Sequence, residues 1–269
     1  MKVLITGAAS NIGYQVGIKL AKLGNFVYLT VHHDYELSSL KEKIKNEDKF
    51  LNLFIDCYCL DLLDEKSWKK IINLDIDCLI NNAGIGIGGS LLDMPVADIK
   101  RNFEVNVFKN LELTRLFINN LFLKSKQGKV IFIASLAGIY PISFLGSYCM
   151  SKASIIMMAS ILRKELFLIN KNIQIKLIEP GIYNTGFNDY MFDSIDNSKY
   201  FKNIKNLLEE KKQLFKLVGK NNLDSIVSKI VESVLDDSNH FLYKAPFFQA
   251  ICTKLYMLLS KLYVQSYTC

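Results

Sequence analysis

Short runs of consecutive apolar residues alternate along this chain with longer stretches of helical period. The strand-length runs are Val3 to Thr6, Phe26 to Val31, Leu53 to Leu60, Cys78 to Asn81, Val130 to Ala134 and Ile175 to Ile178, all rich in Ile, Val, Leu and Phe. A strand that is hydrophobic on both faces is one covered on both faces, so the pattern predicts a parallel sheet with helices packed on either side. The helical stretches between the runs make the alternation βαβ with right-handed crossovers, and no repeat, low-complexity tract or Pro/Gly/Ser linker interrupts it. The expected architecture is α/β: a single domain over 1–245 built on a doubly wound parallel sheet flanked by helices on both faces, followed by an apolar helical tail over 246–269.

Composition narrows the picture. A chain of 269 residues with 50% hydrophobic content can bury one large core, which argues against disorder. The formal charge of +7 comes from lysines scattered along the chain. No dense basic block or aromatic-interleaved basic stretch marks a nucleic-acid groove, so no nucleic-acid partner is expected. Six cysteines stand at irregular spacings with no CxxC pair and no neighbouring His cluster. They read as small buried hydrophobes in a reducing compartment, with no metal site. Met1 to Thr6 already reads as a strand entering a glycine loop, which leaves no room for a signal peptide and predicts a cytoplasmic location.

The loop Thr6-Gly7-Ala8-Ala9-Ser10-Asn11-Ile12-Gly13 lies directly after the first strand candidate and before a helix starting near Ile12. A pyrophosphate needs backbone N–H groups at a helix N-terminus and residues small enough for close approach; this segment can supply both. A glycine-bearing loop alone is weak evidence, and its place at the first βα junction is what favours a dinucleotide.

These residues resemble the cofactor loop of the short-chain dehydrogenase/reductase family, whose pattern is TGxxxGxG, with Asn11 in place of the middle glycine. Asparagine tolerates a left-handed backbone better than other non-glycine residues, so the turn can survive. Asn81-Asn82-Ala83-Gly84 resembles the family's NNAG motif, which joins the central sheet and lines the cofactor cleft. Asp61, with Leu62 beside it, resembles the aspartate that contacts adenine; read by itself it could equally cap the following helix. Pro180-Gly181-Ile182 with Thr185 is similar to the PGxxxT segment near the nicotinamide amide. The resemblance runs from Thr6 to Thr185. It implies a Rossmann fold, a nicotinamide cofactor and an oxidoreductase that moves a hydride between the cofactor and an alcohol or ketone.

Tyr148 and Lys152 stand four apart in a helical stretch, so their side chains are neighbours on one face. Ser135 lies just past a strand candidate, where a residue at a strand's carboxyl end points into the ligand crevice. The family's catalytic serine occupies the matching place ahead of its YxxxK tyrosine, and Asn106 resembles the asparagine that completes the tetrad through a water-linked relay. The residue types suit the chemistry. Hydride transfer to a ketone leaves an alkoxide that needs a proton, and a phenol can give it. A nearby Lys152 ammonium, with the positive nicotinamide of the oxidised cofactor, is expected to favour the phenolate for the reverse direction. Ser135 would donate a hydrogen bond to the substrate oxygen.

Val31 stands where NAD-preferring relatives carry a carboxylate for the ribose 2′-OH, and His32 and His33 follow it. This favours NADP(H) over NAD(H), with His32 a phosphate contact or, as easily, an exposed functionless residue. The words around Asn106, Tyr148 and Pro180 look most like the branch of 17β-hydroxysteroid and retinol dehydrogenases. In the family the stretch after Thr185, here around 186–215, forms a mobile substrate lid. Its residues Phe187, Tyr190, Met191, Phe192, Tyr200 and Phe201 would suit an apolar alcohol or ketone, and equally ordinary core packing. The tail from Pro246 to Val264 is apolar but interrupted by Gln249, Thr253, Lys254, Ser260 and Lys261, which speaks against a spanning helix. Packing on the domain or a second subunit of a homodimer or homotetramer is one reading, a membrane-surface helix the other. Two further functions stay open: a non-catalytic NAD(P)-binding regulator, and an epimerase or dehydratase on the same fold.

Overall fold

In a computed structural model describing residues 1–9, 11–169, 172–195 and 198–265, seven parallel strands form one sheet in the order β3-β2-β1-β4-β5-β6-β7. Along the chain the elements are β1 (Lys2–Ile5), α1 (Asn11–Lys22), β2 (Phe26–Val31), α2 (Asp34–Glu47), β3 (Ile55–Cys59), α3 (Glu65–Ile72), β4 (Cys78–Asn81), α4 (Val96–Phe103), α5 (Asn110–Leu123), β5 (Gly128–Ile133), α6 (Gly146–Ile169), β6 (Ile173–Pro180), α7 (Phe187–Asp193), α8 (Ile204–Val218), α9 (Asp224–Leu235), β7 (Leu242–Ala245) and α10 (Phe247–Gln265). A π-helical segment, Glu104–Lys109, joins α4 to α5.

The five inner strands bury both faces, as their apolar runs require, while the edge strands β3 and β7 leave one face half-exposed. Val3, Ile5, Val27, Leu29, Ile80 and Ile131 point to one side and pack with residues of α1, α2 and α9. Leu4, Tyr28, Leu79, Val130 and Phe132 point to the other and pack with residues of α3, α5 and α6. The strand order reverses between β1 and β4, and there a doubly wound sheet opens a crevice at the carboxyl ends of its strands.

The structure adds two features to these expectations. Leu242–Ala245 is a seventh strand, paired to β6 from Leu177↔Leu242 to Pro180↔Ala245; four residues at a sheet edge are too few to show a period. The aromatic stretch after Thr185 contains two helices, α7 and α8, over a third small core of Leu145, Met191, Phe192, Ile204 and Leu208. Of its singled-out residues, Tyr190 and Tyr200 face solvent. The cysteines also divide: Cys57 and Cys78 are buried, while Cys252 is exposed.

Candidate active site

The end of β1 is tied to the end of β4 by Thr6 and Asn82. Thr6 Oγ1 accepts from the backbone N–H of Asn82 (3.0 Å) and Ala83 (2.9 Å), while Asn82 Nδ2 donates to the carbonyls of Thr6 (2.9 Å) and Gly7 (2.8 Å). The backbones approach closely enough that Gly7, at φ +64°, could carry no Cβ: it would sit 2.8 Å from Ala83 Cα. Asn11 adopts φ 55°, the left-handed conformation expected of it, and its Nδ2 donates to Thr185 O at 3.2 Å. Ser10 lies outside the described residues.

Above these strand ends opens a cleft of about 920 Å³. Gly7, Asn11, Ile12, Gly13, His32, Asp61, Leu62, Asn82, Ala83 and Gly84 line it on the β1–β4 side, and Ser135, Tyr148, Lys152, Pro180, Gly181, Ile182 and Thr185 on the β5–β6 side. Asn106 is fully buried behind the wall. Gly7, Asn11, Ile12 and Gly13 present the N-terminus of α1 to the cleft, where a pyrophosphate could accept from its free backbone N–H groups, and the volume is at the upper end of small-molecule sites, so the residues present fit a dinucleotide. Asp61 does not cap the next helix; Asp64 does, accepting from Lys66 N. The Asp61 carboxylate instead closes a turn by accepting from Leu63 N (2.9 Å) and stands 3.3 Å from His32 Nε2.

Ser135 follows β5 in extended conformation and caps a short 3-10 turn, its Oγ accepting from Ala137 N at 3.0 Å. Tyr148 and Lys152 share one face of α6, and Lys152 Nζ lies 5.6 Å from the Tyr148 ring centroid. That ammonium donates to Ile133 O at 2.8 Å, so the last carbonyl of β5 anchors it. Burial lowers the Lys152 pKa to about 8. Burial also pushes the Tyr148 hydroxyl above the usual phenol range, with a hydrogen bond to Ser135 pulling the other way. Desolvation is the largest cause, and it acts here without the positive nicotinamide that the expected acidic phenol also calls on. In the protein alone Tyr148 is held protonated.

Behind the wall stands a device that motif reading did not find. Asn102, Asn106 and Asn110 recur at four-residue spacing, all buried. Asn102 exchanges hydrogen bonds with the backbone N–H and C=O of Ile87 (3.3 Å each), Asn106 with those of Ile85 (2.8 Å each), and Asn110 donates to Ala83 O (3.3 Å). Four residues of helix rise about 6 Å and two residues of extended chain about 6.6 Å, so three helical amides can bind every second residue of the segment 83–87. Ser147 and Ser151 of α6 take the remaining Nδ2 protons of Asn102 (2.6 Å) and Asn106 (3.0 Å). Three asparagines at i, i+4, i+8 in a helical stretch were the available signal, since helix interiors disfavour asparagine. Other cleft residues carried no local signal, among them Tyr140, Phe215, Phe248 and Gln249.

A family model described as short chain dehydrogenase matches residues 1–196. The probable short-chain type dehydrogenase/reductase VdlC of Helicobacter pylori is 31% identical over 198 residues, 71% of this chain and 68% of that protein. A short-chain dehydrogenase/reductase from Burkholderia phymatum, solved in complex with NAD, superposes with a TM-score of 0.81 at 19% identity, covering 97% of this chain and 94% of that one. A short-chain dehydrogenase from Sphingobium yanoikuyae in complex with NADPH gives 0.72 at 20% identity, covering 96% and 95%.

Proposed function

This chain belongs to the short-chain dehydrogenase family, and from that premise we propose that it transfers a hydride between a nicotinamide cofactor and an apolar alcohol or ketone, with Tyr148 as the proton-transferring residue. The observation that carries the reading is the meeting of Ser135, Tyr148 and Lys152 on one wall of the cleft, beside backbone that can hold a pyrophosphate. Fold relatives solved with NAD and with NADPH support a nicotinamide cofactor. The nicotinamide, when bound, supplies or accepts the hydride. Every remaining task falls to the protein.

In the reducing direction the Tyr148 hydroxyl, kept protonated by burial, gives its proton to the substrate oxygen as charge develops there, and the Ser135 hydroxyl donates a hydrogen bond to the same oxygen. The Lys152 ammonium, anchored on Ile133 O, stabilises the phenolate left behind. Asn106 holds segment 83–87 against α6, and Gly84 lacks a Cβ where one would stand 3.8 Å from Lys152 Nζ, which leaves space beside the ammonium. Phe187 lies over Tyr148 with ring centroids 5.7 Å apart and, with Met191 and Ile142, gives the substrate end apolar walls. In this reading α7 and α8 serve as the lid. The exposed Phe108, Leu116, Leu123, Met157 and Ile161 on and beside α5 and α6 support a homo-oligomer.

For the adenosine end the reading is NADP(H). Val31 offers no carboxylate, and the His32 and His33 rings lie 3.8 Å apart at the exit of β2. Glu36 works against this preference, because its Oε2 already accepts from the backbone N–H of His32 (3.0 Å) and His33 (2.9 Å).

The test is a panel of apolar ketones and alcohols followed through nicotinamide absorbance, with NADH and NADPH side by side. Steady consumption of cofactor is expected, faster with NADPH. Tyr148→Phe is expected to lose about 10³-fold in kcat while binding cofactor as before. Binding of cofactor without turnover of any substrate would favour a regulator instead, and residual activity in Tyr148→Phe near the wild-type level would remove Tyr148 from the mechanism.

A further inference from the structure

A helix packed on the surface of a domain normally turns its apolar stripe inward. α10 does the reverse. Gln249 and Thr253 face the domain: Gln249 Oε1 accepts from Ile182 N (2.7 Å), its Nε2 donates to Val218 O (2.9 Å), and Thr253 is 8% exposed. Phe247, Ile251, Leu255 and Leu258, spaced by four, four and three residues, form one stripe that faces away from the domain, with Phe247 78% exposed.

This stripe has a neighbour. The bond from Gln249 to Val218 brings the last turn of α8 alongside, where Leu214 and Leu217 are also exposed, Leu217 at 83%. Phe248 and Cys252 of α10 and Phe215 and Val218 of α8 line the cleft, so the exposed apolar face borders the cleft itself. Beyond Glu209 and Glu210 of α8, its charge has a single sign in sequence. α10 contains two lysines and no acid. The stretch 211–220 contains Lys211, Lys212, Lys216 and Lys220 and no acid, with Lys212 paired to Asp193 at 2.6 Å and Lys216 4.0 Å from Asp189.

We propose that α10 and the end of α8 form a docking platform that seats the cleft against the surface of a bilayer carrying anionic lipid. Aromatic and aliphatic side chains facing outward beside lysines are the composition of a helix lying in the plane of such an interface. At 19 residues α10 is about 28 Å long, enough to lie along a bilayer, and no helix among the described residues is long and apolar enough to cross one. A second copy of the chain on the same face is less well matched, because an isologous contact would set lysine-bearing surface against itself. An apolar substrate dissolved in the bilayer would then meet the cleft without passing through water.

The experiment is co-sedimentation of the full chain with two sets of vesicles, phosphatidylcholine alone and phosphatidylcholine with about one third phosphatidylglycerol. Binding at least about tenfold tighter to the anionic set is expected. The combined variant Phe247→Ser, Ile251→Ser, Leu255→Ser, all at exposed positions outside the cleft, is expected to weaken that binding at least about tenfold while its melting temperature and its turnover of a water-soluble ketone stay as in the wild type. Failure of the wild-type chain to bind either set overturns the proposal. So does unchanged vesicle binding by the triple variant, or sedimentation velocity showing that the substitutions split a dimer. Vesicle binding is read without turnover, so its outcome is separate from that of the proposed reaction.

Discussion

On the floor of the cleft the polar side chains are tied to the backbone of neighbouring strands and loops: Thr6 and Asn82 to each other's main chain, Asn106 to Ile85, Lys152 to Ile133. Over the roof, α7 and α8 meet through apolar side chains and the exposed Lys212–Asp193 ion pair, and one amide, Gln249, joins α10 both to the loop after β6 and to the end of α8. The floor is therefore a place where a small displacement leaves buried donors or acceptors without partners. The roof can shift with little loss of hydrogen bonding. A rigid floor suits proton transfer between fixed groups, and a yielding roof suits admission of a substrate.

The sharpest way to break this contrast is at Lys152. Its folded pKa of about 8 lies below the ordinary lysine value of 10.5, so the fold penalises its charged form. The penalty is complete below pH 8. It shrinks between pH 8 and 10.5, where the unfolded chain binds more protons and stability rises with pH, and it is gone above. Lys152→Met is expected to lower kcat about 10³-fold and yet stabilise the fold by roughly 3 kcal/mol at neutral pH, a gain of about 5 °C in melting temperature that disappears near pH 10. Thermal melts at the two pH values check the sign, and a neutral-pH melting temperature below the wild type's would mean that Lys152 serves stability as well as chemistry.

Next in size is Asn106→Ala, which removes the partners of Ile85 N, Ile85 O and Ser151 Oγ together. A cost of about 3 kcal/mol in denaturant unfolding is expected, with slope unchanged. kcat should fall with it, because segment 83–87 is no longer held beside Lys152. Wild-type stability in that variant would show that the asparagine ladder is not what makes the floor rigid.

The smallest effect belongs to the roof. Gln249→Leu frees Ile182 N and Val218 O at a partly exposed site, and an increase of about tenfold in KM for the carbonyl substrate with kcat changed less than about threefold is expected. A fall in kcat as large as that of Lys152→Met would instead place Gln249 with the floor.

What the sequence determined by itself is the floor's local geometry. Nearly continuous apolar runs marked six of the seven strands, because burial, on both faces for the inner ones, leaves a composition that needs no distant partner to be read. Asn11 could be expected in the left-handed region from its place in the glycine loop, and Tyr148 and Lys152 share a face because four residues make about one helical turn. Tertiary structure decided the rest. β7 is a strand only because β6 has a free edge for it, and Asn102, Asn106 and Asn110 acquire a purpose only when an extended segment lies at matching pitch beside them. In the protein alone Tyr148 is pushed up because the walls around it come from separate parts of the chain, and α10 turns its apolar stripe outward because Gln249 finds partners more than 30 residues away. Spacing along a chain reports neighbours within a turn or a pleat, whereas desolvation and long-range pairing depend on which segments close over one another.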